Sequence, residues 1–465
     1  ARQIFLNNYR LPEMIPHYTL GGISFSSPPL PFYIESFLVF TLGLPEFLVV
    51  NLLPAITSVI SLILFYVLMK QVLKNEWAQL FSLIFFSLFP IGYAEQLEGA
   101  GLSESFGTIF IILLILAFWS YYKNPFHIPR LCLTSFVWAL TIMASPASAY
   151  LSVFIFLTFL IMLIKKEKEN ISKLILHIVI LGFLAVLLSS VYWGTVIKNH
   201  GLDLLIDSFT SQHAGGIYTI GFLIRYGEMS IIDGEPLLSV LFIAAICILA
   251  YNKKYELLIL SLLTALIPRE NWVMGIIGVL IIGYAIDLVL KGKSIILEYE
   301  KKLKPSIVII GVIIFSLLLW RPIYFFIMRG FVTEHSIDKE QIIFLENIDQ
   351  INAIEENLII VGNNEFLEWS PYLTEKNVLN VWYGTEFAPE KSWIYDVHES
   401  LVNCVDTTCI NQLIRDNFEV GDISVIVDLL FMDQFGLENE EDLGVQPSTE
   451  LYDNRFLYYS LDLID

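Results

Sequence analysis

Long apolar runs separated by short polar stretches dominate residues 1–330 of the chain. A helix needs about 20 mainly apolar residues to cross the hydrocarbon core of a bilayer. The pattern therefore predicts ten membrane-spanning helices, which lie near 46–69, 77–93, 105–122, 129–144, 147–164, 173–194, 236–251, 255–268, 271–290 and 305–328. A further apolar stretch, 31–43, follows a proline-rich segment and is too short to span untilted, so we expect an interfacial or re-entrant helix there.

After residue 330 the apolar runs become short, and helical and strand-like patterns alternate. Three short apolar runs predict strands, at Asn357–Gly362, Asn377–Trp382 and Ile423–Leu430. Two segments, 338–355 and 407–417, have helical spacing. This order predicts one small sheet with flanking helices.

The fold class is therefore expected to be mainly α, a polytopic transmembrane helical bundle with a C-terminal extracytoplasmic α/β domain. The predicted domains are a first outer loop with a short interfacial helix (1–45), a transmembrane domain of about ten helices (46–330) and an acidic soluble domain (331–465).

Composition supports a lipid environment for most of the chain. Of its 465 residues, 56% are hydrophobic and 16% are charged, and the mean hydropathy is +0.66; soluble domains carry about 25% charged residues. The net charge of -20 is local, because residues 331–465 hold 28 Asp and Glu against 5 Lys and Arg. Without clustered Lys and Arg in that domain, nucleic acid is not expected as a partner.

The distribution of basic residues predicts the orientation in the membrane. One set of alternate loops carries fifteen of them: Lys70, Lys74, Lys123, Arg130, Lys165, Lys166, Lys168, Lys173, Lys253, Lys254, Lys291, Lys293, Lys301, Lys302 and Lys304. The opposite set holds three, namely Lys198, Arg225 and Arg269. We therefore expect the cytoplasmic membrane to hold the chain with residues 1–45, the 195–235 loop and the C-terminal domain outside.

This orientation puts residue 1 outside the membrane, in a polar loop, with no preceding signal peptide or helix to carry it there. We expect at least one more N-terminal helix in the natural protein, and we interpret the chain as a fragment.

The outer loop before the third predicted helix gathers carboxylates that are suited to chemistry. It contains Glu95, Glu98 and Glu104. These groups suit binding of a metal ion, action as a base or binding of a sugar hydroxyl. The alternative, to which we give equal weight, is that Glu95 and Glu98 are solvated loop carboxylates and that Ser103 and Glu104 cap the helix.

The 195–235 loop is longer than a passive connection requires, which favours a lid or binding element. His213 lies beside two glycines, where it suits a ligand contact but is also typical of an exposed loop histidine. Arg225 is a candidate for phosphate because the guanidinium suits that group. Arg269 is expected either to pair with Glu270 or to hold a lipid phosphate. His17, near Gly21 and Gly22, is a further candidate for substrate binding.

The four cysteines divide into two kinds. Cys132 and Cys247 fall within apolar runs, where a buried thiol is expected. Cys404 and Cys409 lie in the soluble domain, where a short local disulfide is expected if the domain faces an oxidising compartment. No zinc-type Cys/His spacing, phosphate-binding glycine loop or nucleophile elbow occurs in that domain.

Taken in order, several motifs resemble the GT-C superfamily of integral membrane glycosyltransferases, which includes protein O-mannosyltransferase-like and aminoarabinose transferase-like enzymes. They are Leu11-Pro12, Gly21-Gly22, Ser27-Pro-Pro-Leu-Pro-Phe-Tyr33 and the acidic loop from Glu98 to Glu104. The segments Glu368–Thr374 and Tyr383–Glu386, followed by the cysteine pair, look like the extracytoplasmic tail of bacterial and archaeal members. The resemblance covers roughly residues 1–330.

The resemblance implies transfer of a sugar from a polyprenyl-phosphate donor to a glycan, lipid or protein acceptor outside the membrane. The sugar donor is then the one group that the reaction requires. The resemblance leaves the need for a divalent cation open. By this resemblance Glu98 and Glu104 would be the second acidic position, and Arg225 and Arg269 would contact phosphate. The principal catalytic Asp of such enzymes would lie upstream of Ala1, so we expect this chain to lack it.

Two other classes of function compete with a glycosyltransferase. A non-catalytic envelope or surface assembly protein would use the acidic domain as an interaction module. A transporter is not supported, because no charged residue lies near the middle of a predicted helix. The two remaining hypotheses differ in whether the outer carboxylates converge with Arg225 or Arg269 on one cleft.

Overall fold

A computed structural model gives the architecture of the chain. It describes residues 1–19, 21–88, 102–211, 236–264, 271–291, 337–348, 355–382, 391, 393–404, 407–418, 422–429, 450–452 and 455–461. The contacts divide the chain into two units. One comprises Ala1–Leu11, Ser27–Lys198 and Phe209–Phe325, and the other comprises Pro12–Ser26, Asn199–Ser208 and Phe326–Asp465.

The first unit is a helical bundle. Its helices are α1 (Arg2–Leu6), α2 (Leu30–Ser36), α3 (Glu46–Val72), α4 (Glu76–Leu88), α5 (Leu102–Lys123), α6 (Ile128–Ile142), α7 (Pro146–Lys166), α8 (Ile171–Ser211, of which residues 199–208 belong to the other unit), α9 (Pro236–Tyr251), α10 (Tyr255–Thr264) and α11 (Asn271–Lys291). A helix therefore lies over each of the first nine predicted runs, and the tenth run, 305–328, falls outside the described residues. The predicted helical bundle is confirmed.

The length of α8 corrects the prediction that a loop begins at residue 195. The helix continues to Ser211, with one break at Gly201, where φ is 85°. A residue without a Cβ adopts this φ readily, so the chain bends there and resumes its helix. The sequence after the break, Leu202–Ser211, has apolar residues at helical spacing, which explains why it forms helix rather than loop.

Length and composition make this unit a multi-pass membrane domain. Four helical segments in the described part of the chain are long and apolar enough to cross a bilayer: Leu48–Val72, Leu102–Lys123, Pro146–Lys166 and Lys168–Asp203. Shorter apolar helices are Leu30–Thr41, Ile128–Ile142, Val240–Tyr251 and Gly275–Leu290. The segment Leu30–Thr41 consists of α2 and a π-helical turn, Phe37–Thr41, where the sequence predicts the short interfacial or re-entrant helix.

A close approach of two small residues and a buried carboxylate hold α11 against the pair formed by α3 and α4. A Cβ added at Gly283 would lie 1.9 Å from Ser82 Oγ and 3.1 Å from Ser82 Cβ, so α4 and α11 approach closely at a pair of small residues. Further along α11, the fully buried Asp287 accepts hydrogen bonds from the backbone amides of Lys74 at 3.2 Å and Asn75 at 2.9 Å. Asp287 thus satisfies donors in the turn between α3 and α4.

The second unit contains two sheets. A hairpin pairs β1 (Met14–Ile15) with β2 (Ile23–Ser24). The larger sheet has the order β4-β3-β5-β7-β6 and consists of β3 (Asn357–Val361), β4 (Asn377–Val378), β5 (Ile423–Asp428), β6 (Glu450–Tyr452) and β7 (Phe456–Leu461). Its first three strands are parallel, and β7 runs antiparallel to both β5 and β6.

Helices cover both faces of the larger sheet. They are α12 (Lys339–Glu346), α13 (Asn364–Thr374), α14 (Trp393–Val402) and α15 (Thr407–Asn417). Leu358 and Ile360 pack with residues of α12 and α13, whereas Ile359 and Val361 pack with residues of α14 and α15. Successive strand residues point to opposite faces, so both faces of β3 are apolar. The predicted C-terminal α/β domain is confirmed.

The strand β4 is shorter than predicted, because a side chain replaces backbone pairing after Val378. The buried side-chain amide of Asn380 accepts from Ile360 N at 3.0 Å and donates to Ile360 O at 2.6 Å. These are the two backbone groups that a longer β4 would have paired.

Candidate functional site

The short helix α2 carries a buried carboxylate at one end of the bundle. Leu30 N, at its start, donates to Met143 O at 3.0 Å, next to the turn between α6 and α7. The Glu35 side chain is 8% exposed and Ser36 is fully buried. Ser36 Oγ finds no hydrogen-bond partner in the part of the chain that the structure describes. A buried polar pair of this kind is costly unless it serves packing, hydration or a ligand.

The start of α5 packs in the same place. One apolar cluster joins Val39, Val49, Phe106 and Ala144 with residues of α2 and with Leu102. This cluster fixes α2 against the beginnings of α3 and α5. The structure therefore brings the helix that carries Glu35 and the first turn of α5 to the same end of the bundle.

Glu104 lies in that first turn of α5 and is half-buried. Its carbonyl oxygen accepts from Thr108 Oγ1 at 2.9 Å, an ordinary contact within the helix. The positive end of the helix dipole stabilises a carboxylate at this position. This is the structural role, capping of the helix, that the sequence also predicts for Glu104. Its position beside the α2 cluster also suits contact with a ligand at this end of the bundle.

His17 belongs to the other unit. Its carbonyl oxygen accepts from Val378 N at 3.0 Å, and Thr19 N donates to Val378 O at 3.0 Å. Residues 17–19 thereby pair in parallel with β4 through the bridge between Tyr18 and Val378. His17 Nδ1 is buried and has no hydrogen-bond partner among the described residues.

A lysine from the C-terminal part of the chain completes this contact. Lys391 Nζ donates to Thr19 Oγ1 at 2.8 Å and to Gly22 O at 2.6 Å. Tyr18 adds a hydrogen bond from its hydroxyl to Glu368 O at 3.2 Å. The backbone around His17 is thus fixed by groups that lie far away in sequence.

Five of the predicted site residues are not among those that the structure describes. Glu95, Glu98, His213, Arg225 and Arg269 lie outside the described residues. The predicted convergence of the outer carboxylates with Arg225 or Arg269 therefore stays a prediction. Of the two that the structure does describe, Glu104 lies in the bundle unit and His17 in the other.

Sequence reasoning missed Glu35 and Lys391. Glu35 had a signal, because it is the one charged residue in the apolar stretch 31–43. Lys391 had none, since its partners precede it by more than 360 positions and nothing in the local sequence indicates the contact.

The second unit also contains a buried ion cluster centred on Arg455. Its guanidinium donates to both carboxylate oxygens of Asp428, at 3.0 and 2.9 Å, and also to Asp338 and Glu340. Gln341 Nε2 donates to Asp428 as well, at 2.6 Å. Burial alone would lower the pKa of Arg455, but the hydrogen bonds to Asp428 and Asp338 outweigh it and raise the pKa above the ordinary value. With its donors satisfied by carboxylates, Arg455 acts structurally, joining the start of α12 to β5 and β7.

Two observations bear on the compartment and on cofactors: a disulfide, and the distribution of side chains that bind metal ions. Cys404 and Cys409 are joined by a disulfide, with their Cα atoms 5.6 Å apart. No group of three or more His, Cys, Asp or Glu suited to a metal ion occurs within the residues described. Those residues alone give no support for a divalent cation.

Comparisons with known proteins identify the fold. No family model matches the sequence, and no curated protein matches it. The structure is similar to that of ArnT from Cupriavidus metallidurans bound to undecaprenyl phosphate, with a TM-score of 0.58, 10% identity and coverage of 99% of this chain and 91% of that one. The apo state of the same protein gives a TM-score of 0.53.

A second similar structure is the archaeal oligosaccharyltransferase AglB from Archaeoglobus fulgidus, in complex with an inhibitory peptide and a dolichol-phosphate. Its TM-score is 0.55 and its identity is 13%, and the match covers 92% of this chain. The chain spans 64% of the length of that enzyme. The protein thus has the same fold as ArnT and AglB, in agreement with the fold that the sequence motifs predicted.

Proposed function

We propose that this chain, which has the GT-C fold, is a glycosyltransferase that moves a sugar, a hexose or a related one, from a polyprenyl-phosphate donor to an extracytoplasmic acceptor. One observation carries the proposal: the buried carboxylate of Glu35 lies beside the start of α5. This polar end belongs to a bundle with the fold of a protein that binds undecaprenyl phosphate.

Sugar transfer makes three physical demands. A carboxylate must hold or deprotonate the acceptor hydroxyl, cationic groups must stabilise the leaving phosphate, and an apolar surface must take the prenyl chain. In this proposal Glu35 and Glu104 hold sugar or acceptor hydroxyls at the end of the bundle. Arg225 and Arg269 are the candidates for the phosphate, and Glu95, Glu98 and His213 for the remaining substrate contacts. His17, in the other unit, is a separate candidate for substrate binding.

The similar structures, which hold dolichol-phosphate and undecaprenyl phosphate, support the proposed donor class. Both are long polyprenyl chains that end in phosphate, so we assign this chain a polyprenyl-phosphate-linked sugar as donor. The acceptor is a glycan, lipid or protein on the same side of the membrane.

We further propose that the chain lies in the cytoplasmic membrane with its C-terminal domain outside. The fifteen basic residues in one set of loops support this orientation. A disulfide between Cys404 and Cys409 also suits an oxidising compartment. In intact cells, a membrane-impermeant maleimide should label these two cysteines only after reduction. Labelling without reduction would contradict the assignment.

Donor binding is the primary test, because the similar structures hold polyprenyl phosphates. Purified chain in detergent is titrated with a panel of radiolabelled polyprenyl-phosphate sugars, with unlabelled polyprenyl phosphate as competitor. We expect saturable binding of at least one donor, weakened about tenfold or more by Glu35→Gln or Glu104→Gln. Glu346→Gln, an exposed carboxylate on α12, is the matched control and should bind like the parent.

Absence of saturable binding to every donor by a chain that remains monodisperse would overturn the proposal. Equal binding by the parent and both variants would support the donor class but contradict the assignment of Glu35 and Glu104 to the donor site. Sugar transfer to an added acceptor is then measured with the donor that binds, and we expect Glu35→Gln and Glu104→Gln to reduce it.

A further inference from the structure

Four cations gather where α5 ends and α6 begins, next to the turn between α7 and α8. They are Lys123, Arg130, Lys166 and Lys173, which we name the basic cluster. Lys166 Nζ donates to the carbonyl oxygens of Tyr122 at 2.6 Å and Lys123 at 3.2 Å. Arg130 Nη1 donates to Ser120 O at 2.8 Å. Both cations therefore cap the last carbonyls of α5, where positive charge is favoured.

Aromatic rings position three of these cations. Lys166 Nζ lies 4.9 Å from the centre of the Tyr122 ring, and Lys173 Nζ lies 4.8 Å from that of Phe126. Lys123 Nζ lies 5.8 Å from the Trp119 ring. Cation–π contacts of this kind fix flexible lysine side chains without neutralising their charge. The rings thus hold the three ammonium groups in place.

Carboxylates do not neutralise the cluster. None of the four cations forms an ion pair within the described part of the chain. The neighbouring Lys165 does, with Glu256 at 2.8 Å. In contrast, Arg455 in the other unit is surrounded by three carboxylates. The two turns around the cluster hold six Lys or Arg against two Glu, so an excess of positive charge remains for an anion.

An apolar stripe leads away from the cluster along α8. Leu176 and Ile180 follow Lys173 by three and seven positions, so they share its helix face. Their side chains are 58% and 39% exposed. A ligand with an anionic head at Lys173 can therefore lay an acyl chain against this stripe, which a free phosphate cannot do.

The cluster is separate from the proposed sugar-transfer site. Glu104 lies in the first turn of α5 and Lys123 is its last residue. A helix of this length spans about 30 Å, the thickness of the hydrocarbon core, so the two lie at opposite membrane faces. The sequence predicts the face with Lys123 to be cytoplasmic, and that leaflet is where anionic lipids are concentrated.

We propose that the basic cluster binds the phosphate headgroup of an anionic phospholipid, whose acyl chain lies along Leu176 and Ile180. Lys123, Lys166 and Lys173 provide ammonium groups and Arg130 a guanidinium, the usual partners of phosphate oxygens. Trp119 and Tyr122 occupy the interfacial position that aromatic residues favour in membranes.

Native mass spectrometry of the purified chain tests the site, with phosphatidylglycerol and phosphatidylcholine of identical acyl chains as probes. We expect phosphatidylglycerol to bind about tenfold more tightly. The triple variant Lys123→Gln, Lys166→Gln, Lys173→Gln should lose this preference, and the corresponding Arg triple should keep it. The matched control neutralises Lys70, Lys74 and Lys253, which lie in or next to other turns of the same predicted side, and should bind like the parent.

Equal affinity for the two lipids would overturn the proposal, as would an equal loss in the control triple. Glycerol phosphate, the headgroup chemistry without acyl chains, should compete at least a hundredfold more weakly than the lipid. Competition at comparable concentration would overturn the assignment to a lipid and indicate a site for soluble phosphate. The Arg triple guards against misfolding, because a fold defect in the Gln triple alone does not explain retained binding in the Arg triple.

Discussion

The ammonium group of Lys391 donates a 2.8 Å hydrogen bond to the hydroxyl of Thr19, across 372 positions of sequence. The same ammonium reaches Gly22 O at 2.6 Å, and Thr19 N pairs with Val378 O beside it. A segment near the start of the chain is therefore built into the C-terminal sheet. In this way the structure joins the motif-bearing region around His17 to a domain that the sequence placed at the far end.

Replacing Lys391 by Met should loosen this segment. The change removes two hydrogen bonds from a charged donor, each contributing about 1.5–3 kcal/mol. Hydrogen exchange of peptides covering residues 14–25 should become roughly tenfold faster or more, while exchange in α5 stays unchanged. Lys339→Met, an exposed lysine of α12, is the control. Unchanged exchange in Lys391→Met would show that strand pairing alone holds the segment.

Replacing Arg455 by Met should destabilise the C-terminal unit. Asp428 is 1% exposed and would keep a buried charge without its main partner. Breaking a buried ion pair in this way costs about 3–5 kcal/mol. We expect strand β7 to lose exchange protection and α12 to loosen with it, because Asp338 and Glu340 also lose their partner. Arg415→Met, an exposed arginine of α15, should leave protection unchanged.

The stability of the same unit should fall as the pH decreases from about 6.5 to 4. Burial lowers the pKa of His398 to about 4, with Glu399 opposing that shift. In this window the unfolded chain takes up a proton that the folded state, with His398 4% exposed, does not. Stability is thus complete above the unfolded pKa and declines below it, by about 3 kcal/mol in total.

Hydrogen exchange of α14 and α15, corrected for intrinsic pH dependence, measures this loss. His398→Leu should flatten the response between pH 6.5 and 4, whereas the exposed His127→Gln should not. A parent protein whose α14 protection is constant over this range would contradict the assignment to His398.

The close approach of α4 and α11 should tolerate no Cβ at Gly283. Gly283→Ala would force the new methyl group against Ser82, an overpacking that costs about 1–3 kcal/mol. We expect a lower unfolding temperature in detergent and partial recovery in the double variant Gly283→Ala with Ser82→Gly. Gly278→Ala, whose Cβ would meet Phe242 at an ordinary 3.5 Å, is the control. An equal loss in both single variants would exclude the contact with Ser82 as the cause.

The sequence predicted the bundle well because a membrane helix is specified locally by one long apolar run. It predicted α15 and the core of β5 for a similar reason, since their patterns are complete within a few residues. Its errors arose where a distant group decides the outcome. The Asn380 side chain ends β4 early by binding Ile360, and Gly201 lets α8 bend and continue where a loop was expected.

The residues of the candidate site also divide into those that the local sequence predicts and those that depend on distant groups. Glu104 and its helix were predictable from local pattern, including its place in the first turn. The burial of Glu35 depends on packing against α3, α5 and the turn after α6, which the sequence around it does not encode. The contact of Lys391 with Thr19 is wholly non-local.

Pairing of residues 17–19 with β4 also protects the sheet. An edge strand presents unpaired backbone amides and carbonyls with which another chain can form hydrogen bonds. Here the main chain of Val378 is occupied on that side by His17 and Thr19. A fragment of the protein that begins at residue 331 lacks residues 17–19 and would expose this edge. We expect that fragment to self-associate through β4. The same fragment supplied with a peptide of residues 12–26 should stay monomeric.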